Sequence, residues 1–292
     1  MVKLRSARSN MKTHSVPAFI VRSQVLAVCL VLMVATSGYA VPTGLDYVFF
    51  TGLGTGSSPL DRIANASFQG KSGEGLQALA QEFDATFTAQ HVSGRVFPWD
   101  QESAAANFVR SLNRLDEIVV VGHSFGGDSA LEFANTLTQG RPIDLLVTID
   151  AACVLCPGGT VKPANVLQEV ELYHTPNSGD NPLVPPFLER LSNPDQSFNV
   201  TDLFNEPNNQ HCLNDIGGTV THTNISNSAC VHRMIGGGAQ SLFASGTIPS
   251  LSTFLSLSPR GDSSAVPEPA TWLLLGTGLA ALLGRMAHRE TH

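Results

Sequence analysis

The sequence of 292 residues has few basic residues between its two ends. Of 17 Lys and Arg residues, five precede Ala40 and two follow Val266. None of the 24 Asp and Glu residues precedes Ala40, and two follow Val266. Ten basic and 22 acidic residues therefore remain in segment 41–266, for a net charge of −12. An acidic surface repels phosphate backbones, so we do not expect nucleic acid as a partner.

Two metal-binding patterns are also missing from the sequence. It contains no His-Glu-x-x-His segment, and its cysteines do not have the spacing of a four-ligand zinc site. We therefore expect no bound metal, and we expect no other cofactor. No internal repeat is found along the chain.

The first 40 residues have the organisation of a secretory signal. Basic residues from Lys3 to Arg22 precede a short apolar run, Val25–Ala35, and small residues follow as far as Ala40. This order predicts export by the Sec route and removal of residues 1–40. The apolar run is shorter than the roughly 20 residues of a membrane-spanning helix. An uncleaved membrane anchor is the alternative interpretation.

Four cysteines remain once Cys29 is assigned to the signal. An even number in an exported chain favours two disulfides, for which three pairings are possible. We favour Cys153–Cys156 and Cys212–Cys230. A redox dithiol in the segment Cys-Val-Leu-Cys-Pro is the alternative for the first pair.

The C-terminal end has three parts in a fixed order. A Pro-Glu-Pro segment is followed by an apolar stretch, Ala270–Gly284, and then by a basic tail. This arrangement resembles the PEP-CTERM sorting signal, which we assign to 266–292. The resemblance implies a membrane helix before processing, cleavage by an exosortase-type enzyme, and delivery to the cell envelope or extracellular surface of a bacterium. A plain C-terminal anchor is the alternative, and a Ser-rich linker at 245–265 precedes the signal.

Between the two ends, strand-like apolar runs alternate with segments of helical periodicity. The strand-like runs include Leu45–Ser58, which stops in glycines, a run interrupted at Ser93-Gly94, and Ile143–Asp150. This alternation predicts a three-layer α/β fold with a mainly parallel central sheet. Residues 176–227 are rich in Asn, Pro, Ser and Gly, which predicts long loops with short helices. We expect the last helix, 231–246, to be broken by three consecutive glycines.

A serine flanked by glycines joins a buried strand to a helix in Val119–Asp128. A tight turn there lifts the hydroxyl of Ser124 above the sheet, and Gly122 and Gly126 avoid collisions that larger residues would make. The helix that follows directs backbone N–H groups toward the same point. The pattern resembles the α/β-hydrolase superfamily, especially its lipase-like members. The upstream Thr-Gly-Leu-Gly-Thr-Gly segment is part of the likeness, which covers about residues 45–240, and we assign 41–244 to this domain.

The resemblance implies further site residues. Backbone N–H groups of Phe125 and Leu53 would form an oxyanion hole, with Gly54 as the alternative to Leu53. In lipase-like members an acid follows the next strand, where Asp150 lies 26 residues after Ser124. Many other α/β-hydrolases place the acid one strand later, and the candidates there are Asp180, Asp195 and Asp202.

The chain order of this fold, serine then acid then histidine, requires a late histidine as the base. Four are available: His174, His211, His222 and His232. We favour His222 because it lies in a polar loop just before the closing helix, with His211 and His232 as alternatives. The Cys212–Cys230 disulfide would brace that loop. His123, inside the serine turn, is expected to be structural.

These features predict an exported serine hydrolase that cleaves small-molecule or lipid carboxylic esters with a Ser124, His222 and Asp150 triad. An amidase or thioesterase would use the same triad. The sorting signal also occurs on many proteins that are not enzymes. A non-catalytic envelope or matrix-binding protein on a hydrolase scaffold is therefore a third interpretation.

Overall fold

The computed structural model describes residues 44–57, 61–62, 73–88, 90–113, 115–137, 141–152, 161–180, 188 and 193–245. The strands are β1 (Gly44–Thr51), β2 (His91–Pro98), β3 (Glu117–His123), β4 (Ile143–Ile149), β5 (Val166–Tyr173) and β6 (Gln196–Asn199). The α-helices are α1 (Glu74–Thr86), α2 (Glu102–Arg110), α3 (Phe125–Thr136), α4 (Val200–Asn205), α5 (Gln210–Asp215) and α6 (Ala229–Ser245).

The described strands form one parallel sheet with the order β2-β1-β3-β4-β5-β6. The central strands β1 and β3 are buried along their whole length. Their runs of Val, Ile and Phe are typical of parallel strands that are covered on both faces. Because every strand has the same direction, all carboxyl ends meet at one edge, where a ligand site is expected in such a fold.

Helices cover the sheet on both sides. Alternate residues of β1 point to opposite faces, so Phe49 belongs to one hydrophobic cluster and Phe50 to the other. Buried residues of α1 and α6 pack in the Phe49 cluster, and those of α2 and α3 pack in the Phe50 cluster. The predicted three-layer α/β fold with a parallel sheet is thus confirmed.

Three local expectations were wrong. β2 is not interrupted at Gly94, because the glycine leaves room for the ring of Tyr47, which a Cβ there would meet at 2.0 Å. A sixth strand, β6, lies in the polar segment that predicted only loops and short helices. α6 continues through its three glycines without a break. Tertiary contacts on the buried face of α6 outweigh the low helix propensity of glycine there.

Several predicted segments lie outside the described residues. They are the N-terminal signal, the sorting signal, the linker beyond residue 245, and the Cys153–Cys156 pair. Within the described ranges, none of the helices combines the length and the apolar character needed to cross a membrane.

Candidate active site

The turn between β3 and α3 holds Ser124 in a strained backbone conformation. Its φ of 59° and ψ of −130° lie in a region that residues with a side chain seldom adopt. The turn is held by its own backbone: Ser124 N–H donates to the Ile149 carbonyl at 3.0 Å. The Ser124 carbonyl accepts from the N–H groups of Gly127 (2.8 Å) and Ala152 (3.0 Å). These bonds offset the strain and fix the position of the serine oxygen at the carboxyl edge of the sheet.

The glycines around the serine are required by close backbone contacts. A Cβ on Gly122 would lie 2.1 Å from the Gly126 carbonyl oxygen, and one on Gly126 would lie 2.1 Å from the Phe50 carbonyl oxygen. A Cβ on Gly52 would approach Ser124 Cβ to 2.8 Å and Ser124 Oγ to 3.3 Å. The backbone that follows β1 therefore passes directly beside the serine hydroxyl.

An imidazole lies within hydrogen-bonding distance of the serine. His222 Nε2 is 2.8 Å from Ser124 Oγ, and both side chains are buried. His222 belongs to the loop between α5 and α6, and the predicted Cys212–Cys230 disulfide is present and joins those two helices. One disulfide thus joins the two helices that flank the loop carrying His222.

Asp150 directly follows β4, and its carboxylate is the nearest to the ring of His222 among the residues that the structure describes. Its backbone is also left-handed, with φ of 44°, and its N–H donates to the Leu172 carbonyl at 2.8 Å. Asp150 Oδ2 lies 3.5 Å from His222 Nδ1. That separation is longer than a well-formed hydrogen bond, and among the described residues His222 Nδ1 has no hydrogen-bond partner.

His174, which follows β5, makes the closest side-chain contact to Asp150. Asp150 Oδ1 accepts from the His174 backbone N–H at 2.9 Å, and Oδ2 is 2.5 Å from His174 Nδ1. Burial alone would raise the pKa of Asp150, but hydrogen bonds from His174 and the positive charge that His222 and His174 can carry hold it well below its usual value. Asp150 is therefore ionised throughout the neutral range.

The opposite side of the His174 ring faces Asp180. Asp180 Oδ2 and Oδ1 lie 2.9 Å and 3.0 Å from His174 Nε2. Asp180 Oδ1 also accepts from the backbone N–H of His222 at 2.8 Å, and Oδ2 accepts from Asn177 N–H at 2.8 Å. Burial lowers the pKa of His174, but the two facing carboxylates outweigh it and the net shift is upward.

His123 in the serine turn has a supporting contact. Its Nε2 donates to the backbone carbonyl of His222 at 2.8 Å, and the two rings lie 5.0 Å apart. Burial and the neighbouring His222 lower the pKa of His123 to about 3, so the ring is neutral at physiological pH. A neutral ring that donates to the His222 backbone agrees with the structural role expected for His123.

One of the two alternatives for the early oxyanion amide is engaged elsewhere. Gly54 N–H donates to Asp61 Oδ1 at 2.7 Å, and Trp99 Nε1 donates to the same oxygen at 2.9 Å. Leu53, between Gly52 and Gly54, is the other predicted donor on this side, and its role stays a prediction. Phe125, the predicted donor on the other side, begins α3 and packs its ring 5.7 Å from that of Trp99.

The other candidate acids and bases have different partners. Asp195 pairs with Lys162 at 2.5 Å, and Asp202 accepts from Asn199 Nδ2 at 2.7 Å. His232 Nδ1 lies 2.9 Å from Glu82 Oε1, and its Nε2 donates to the Ser226 carbonyl at 2.8 Å. The side chain of His211 lies outside the described residues.

His174 is the site residue that the sequence analysis did not assign. It was named only as a late histidine, although its position directly after β5 matches that of Asp150 directly after β4. Adjacent parallel strands bring their carboxyl ends together, so this register was the signal that could have identified it.

One group in the described part of the chain could supply ligands to a cation. Atoms of Asp46, His91 and Asp116 lie within 4.8 Å of one another, at the amino ends of the strands and so at the edge opposite Ser124. Arg141 Nη2 already lies 2.6 Å from Asp46 Oδ2 and donates to the Asp116 carbonyl at 2.8 Å. This guanidinium supplies the positive charge there and would repel a metal ion.

Comparison with known proteins identifies the C-terminal segment. Residues 265–289 match the family described as the PEP-CTERM protein-sorting motif. The motif indicates a secreted protein that is sorted to the cell envelope of a bacterium, and it implies recognition by an exosortase-type enzyme. No curated protein matches the chain.

Two solved structures align with parts of this chain. A metagenomic carboxyl esterase aligns over 47% of this chain and 52% of its own, with 15% identity and a TM-score of 0.28. The match thus spans about half the length of that esterase. YbtT, a type II thioesterase from the yersiniabactin NRPS/PKS biosynthetic pathway, aligns over 69% of this chain and 92% of its own, with 10% identity and a TM-score of 0.32. Likeness at this level carries no argument about activity.

A parallel sheet covered on both faces, with a serine at the strained turn after β3, is the architecture of the α/β-hydrolase fold. The chain therefore has an α/β-hydrolase fold and carries a C-terminal PEP-CTERM sorting motif.

Proposed function

We propose that the protein is an exported serine hydrolase that cleaves carboxylic esters of small molecules or lipids. Ser124 is the nucleophile, His222 the general base and Asp150 the acid that orients it. The observation that carries the proposal is the 2.8 Å contact between His222 Nε2 and Ser124 Oγ at a strained strand-to-helix turn. A serine hydroxyl is a weak nucleophile by itself, and an adjacent imidazole is the usual means of activating it.

The first step forms an acyl-enzyme. Neutral His222 carries its proton on Nδ1, toward Asp150, so Nε2 is free to take the hydroxyl proton as Ser124 Oγ attacks the ester carbonyl. The carbonyl oxygen becomes an oxyanion, which the backbone N–H groups of Leu53 and Phe125 stabilise. Protonated His222 then gives its proton to the departing alcohol. Ionised Asp150 stabilises the imidazolium in between.

Water completes the cycle by the same route. His222 takes a proton from the water as its oxygen attacks the acyl carbonyl, and the second oxyanion occupies the same amide pair. Collapse of this intermediate releases the carboxylic acid and returns the proton to Ser124 Oγ. No metal or organic cofactor takes part in either step.

Covalent labelling tests the nucleophile directly. We expect a fluorophosphonate probe to label the wild-type protein and to modify Ser124 within tryptic peptide 115–190, which mass spectrometry can locate. Ser124→Ala should lose the label and ester hydrolysis while keeping its circular dichroism spectrum. Ser111→Ala, which changes an exposed serine, is the matched control. Undiminished turnover in Ser124→Ala would overturn the proposal.

The leaving group separates the related activities. An oxygen ester, a thioester and an amide of one acyl group should be compared at equal concentration. We expect the oxygen ester to give the highest kcat/KM. A higher kcat/KM for the thioester or the amide would leave the proposed triad in place but change the substrate class. A panel of esters of different chain length would define the preferred acyl group.

A non-catalytic role is the second candidate, and the long contact between Asp150 and His222 (3.5 Å) is the observation that favours it. A base that is not oriented by its acid does not activate serine well. Absence of labelling, under conditions in which a control serine hydrolase is labelled, would support an envelope or matrix-binding protein instead.

A further inference from the structure

We propose that His174 is a positioning residue that, as an imidazolium bridging Asp150 and Asp180, fixes both the acid and the backbone of the base. The inference rests on the proposed function for its kinetic consequence. Its structural part concerns a buried chain of contacts from the carboxyl end of β4 to the loop that carries His222.

The geometry of His174 fits an imidazolium that donates from both ring nitrogens. Nδ1 faces an oxygen of Asp150 at 2.5 Å, and Nε2 faces both oxygens of Asp180 at 2.9 and 3.0 Å. A neutral imidazole has a single N–H, so only the imidazolium can donate to both carboxylates. The side chains of His174, Asp150 and Asp180 are at most 2% exposed, so leaving either carboxylate without a donor would be costly.

The charges around the ring favour this protonation state. The titratable groups that face His174 are Asp150 after β4, Asp180 in the loop after β5, His222 in the loop before α6, and His123 at the end of β3. Both carboxylates favour the imidazolium, and burial keeps the ring of His123 neutral. One positive ring between two negative groups gives a net charge of −1.

The bridge also fixes the backbone of His222, which Asp150 does not contact. Asp150 contacts the ring of His222, whereas Asp180 accepts from its backbone N–H at 2.8 Å. Because His174 binds both carboxylates, displacement of His174 would release the ring contact and the backbone contact together. Asn177, whose N–H donates to Asp180 and whose side chain donates to the Val220 carbonyl at 2.6 Å, ties the same loop to Asp180.

Two substitutions each break the contact between His174 and Asp180. His174→Asn keeps a donor near Asp150 and loses the bond to Asp180, and Asp180→Asn keeps the shape but removes the charge. We expect each to lower kcat about tenfold to a hundredfold with KM little changed, as for other residues that orient a reacting group. The double variant should lose no more than the worse single one, because both act through one contact. Asp202→Asn, an exposed aspartate bonded to Asn199, is the control.

A pH profile separates positioning from mere packing. In the wild type, kcat should fall at alkaline pH as His174 loses its proton, and His174→Asn should lack this alkaline limb. The proposal would be overturned if the decreases in kcat of the two single variants multiplied in the double variant. It would also be overturned if kcat of His174→Asn still fell at alkaline pH as in the wild type.

NMR spectroscopy tests the protonation of His174 without an activity assay. Nitrogen-15 NMR of Ser124→Ala protein should show His174 with protons on both ring nitrogens at pH 7, and the additional change Asp180→Asn should remove one of them. A neutral His174 at pH 7 would refute the bridge. Full turnover in Ser124→Ala would instead refute the proposed function, so the two failures are distinguishable.

Discussion

At the scale of single residues, strain is concentrated where chemistry is proposed. Ser124 and Asp150 are the non-glycine residues with a positive φ in the described part of the chain, and they follow the adjacent strands β3 and β4. Such conformations cost of the order of 1–3 kcal/mol each and persist only where neighbours hold them. The backbone bonds to Ile149 and Leu172 provide that support. The strained pair therefore marks the edge at which the proposed triad assembles.

The identity of the base gives a prediction at this scale. His222→Gln should lower kcat by about 10⁴-fold or more, because the serine loses the group that takes its proton. The control is His91→Gln, which alters an exposed histidine at the opposite edge of the sheet and should leave kcat unchanged. Steady-state ester hydrolysis measures both. Equal activity of the two variants would rule out His222 as the base.

Part of the candidate site could be predicted from the sequence alone. Ser124 could be predicted from its flanking glycines, and His222 from its place in a polar loop just before the closing helix. His222 Nε2 lies 2.8 Å from Ser124 Oγ in the structure. The catalytic roles of both stay predictions. Asp180 was considered as an alternative acid, yet it contacts the backbone of His222 and the ring of His174. That arrangement depends on how a polar loop closes over the sheet, which no local pattern encodes.

At the scale of elements, glycines with similar sequence surroundings have opposite roles. Gly126 lies in the first turn of α3, beside β1, where a Cβ would meet the Phe50 carbonyl oxygen at 2.1 Å. Gly236 lies within α6, where a Cβ would meet nothing within 4 Å. The first glycine is required by packing between a helix and the sheet. The second only lowers the intrinsic helix propensity, and α6 remains unbroken because the contacts of its buried face outweigh that loss.

These two glycines form a matched pair for measurement. Gly126→Ala should destabilise the fold by about 1–3 kcal/mol, because the backbone of β1 cannot move away. Gly236→Ala should stabilise it by as much as about 1 kcal/mol, the difference in helix propensity. Urea denaturation followed by circular dichroism gives both values. A stable Gly126→Ala protein would contradict the close packing of α3 on β1.

At the scale of the whole molecule, buried carboxyl groups couple stability to pH. Glu169 on β5 is fully buried, and within the described residues neither of its carboxyl oxygens has a hydrogen-bond partner. Burial raises the pKa of Glu169 from 4.5 to about 7, with Lys162 opposing and Asp195 adding to the shift. Burial also raises the pKa of Glu117 to about 7. The folded protein therefore keeps these protons at pH values where the unfolded chain has lost them.

The sign of the resulting pH dependence follows from proton binding. Between pH 4.5 and 7 these two carboxyl groups bind more protons in the folded state than in the unfolded state, so their contribution to the free energy of unfolding falls as pH rises. His123, whose pKa is lowered by folding, contributes with the opposite sign below pH 6.5. Glu169→Gln removes one contribution and should stabilise the protein by about 1–3 kcal/mol more at pH 8 than at pH 5, relative to wild type. Urea midpoints at the two pH values test this. Parallel pH curves for both proteins would show that Glu169 ionises normally in the folded state.

The sequence by itself determined the layered α/β fold, the serine turn and the C-terminal sorting motif. Each depends on local order along the chain: alternating apolar runs, glycines beside a serine, and a Pro-Glu-Pro segment before an apolar stretch. Only the tertiary structure decided that Asp150 faces the ring of His222, that Asp180 accepts from its backbone N–H, and that His174 joins the two acids. His174 and Asp150 are 24 positions apart in the sequence, and His222 and Asp180 are 42 apart, whereas His174 and Asp180 are only 6 apart. These contacts form only when parallel strands bring their carboxyl ends to one edge and a disulfide-linked loop folds over it.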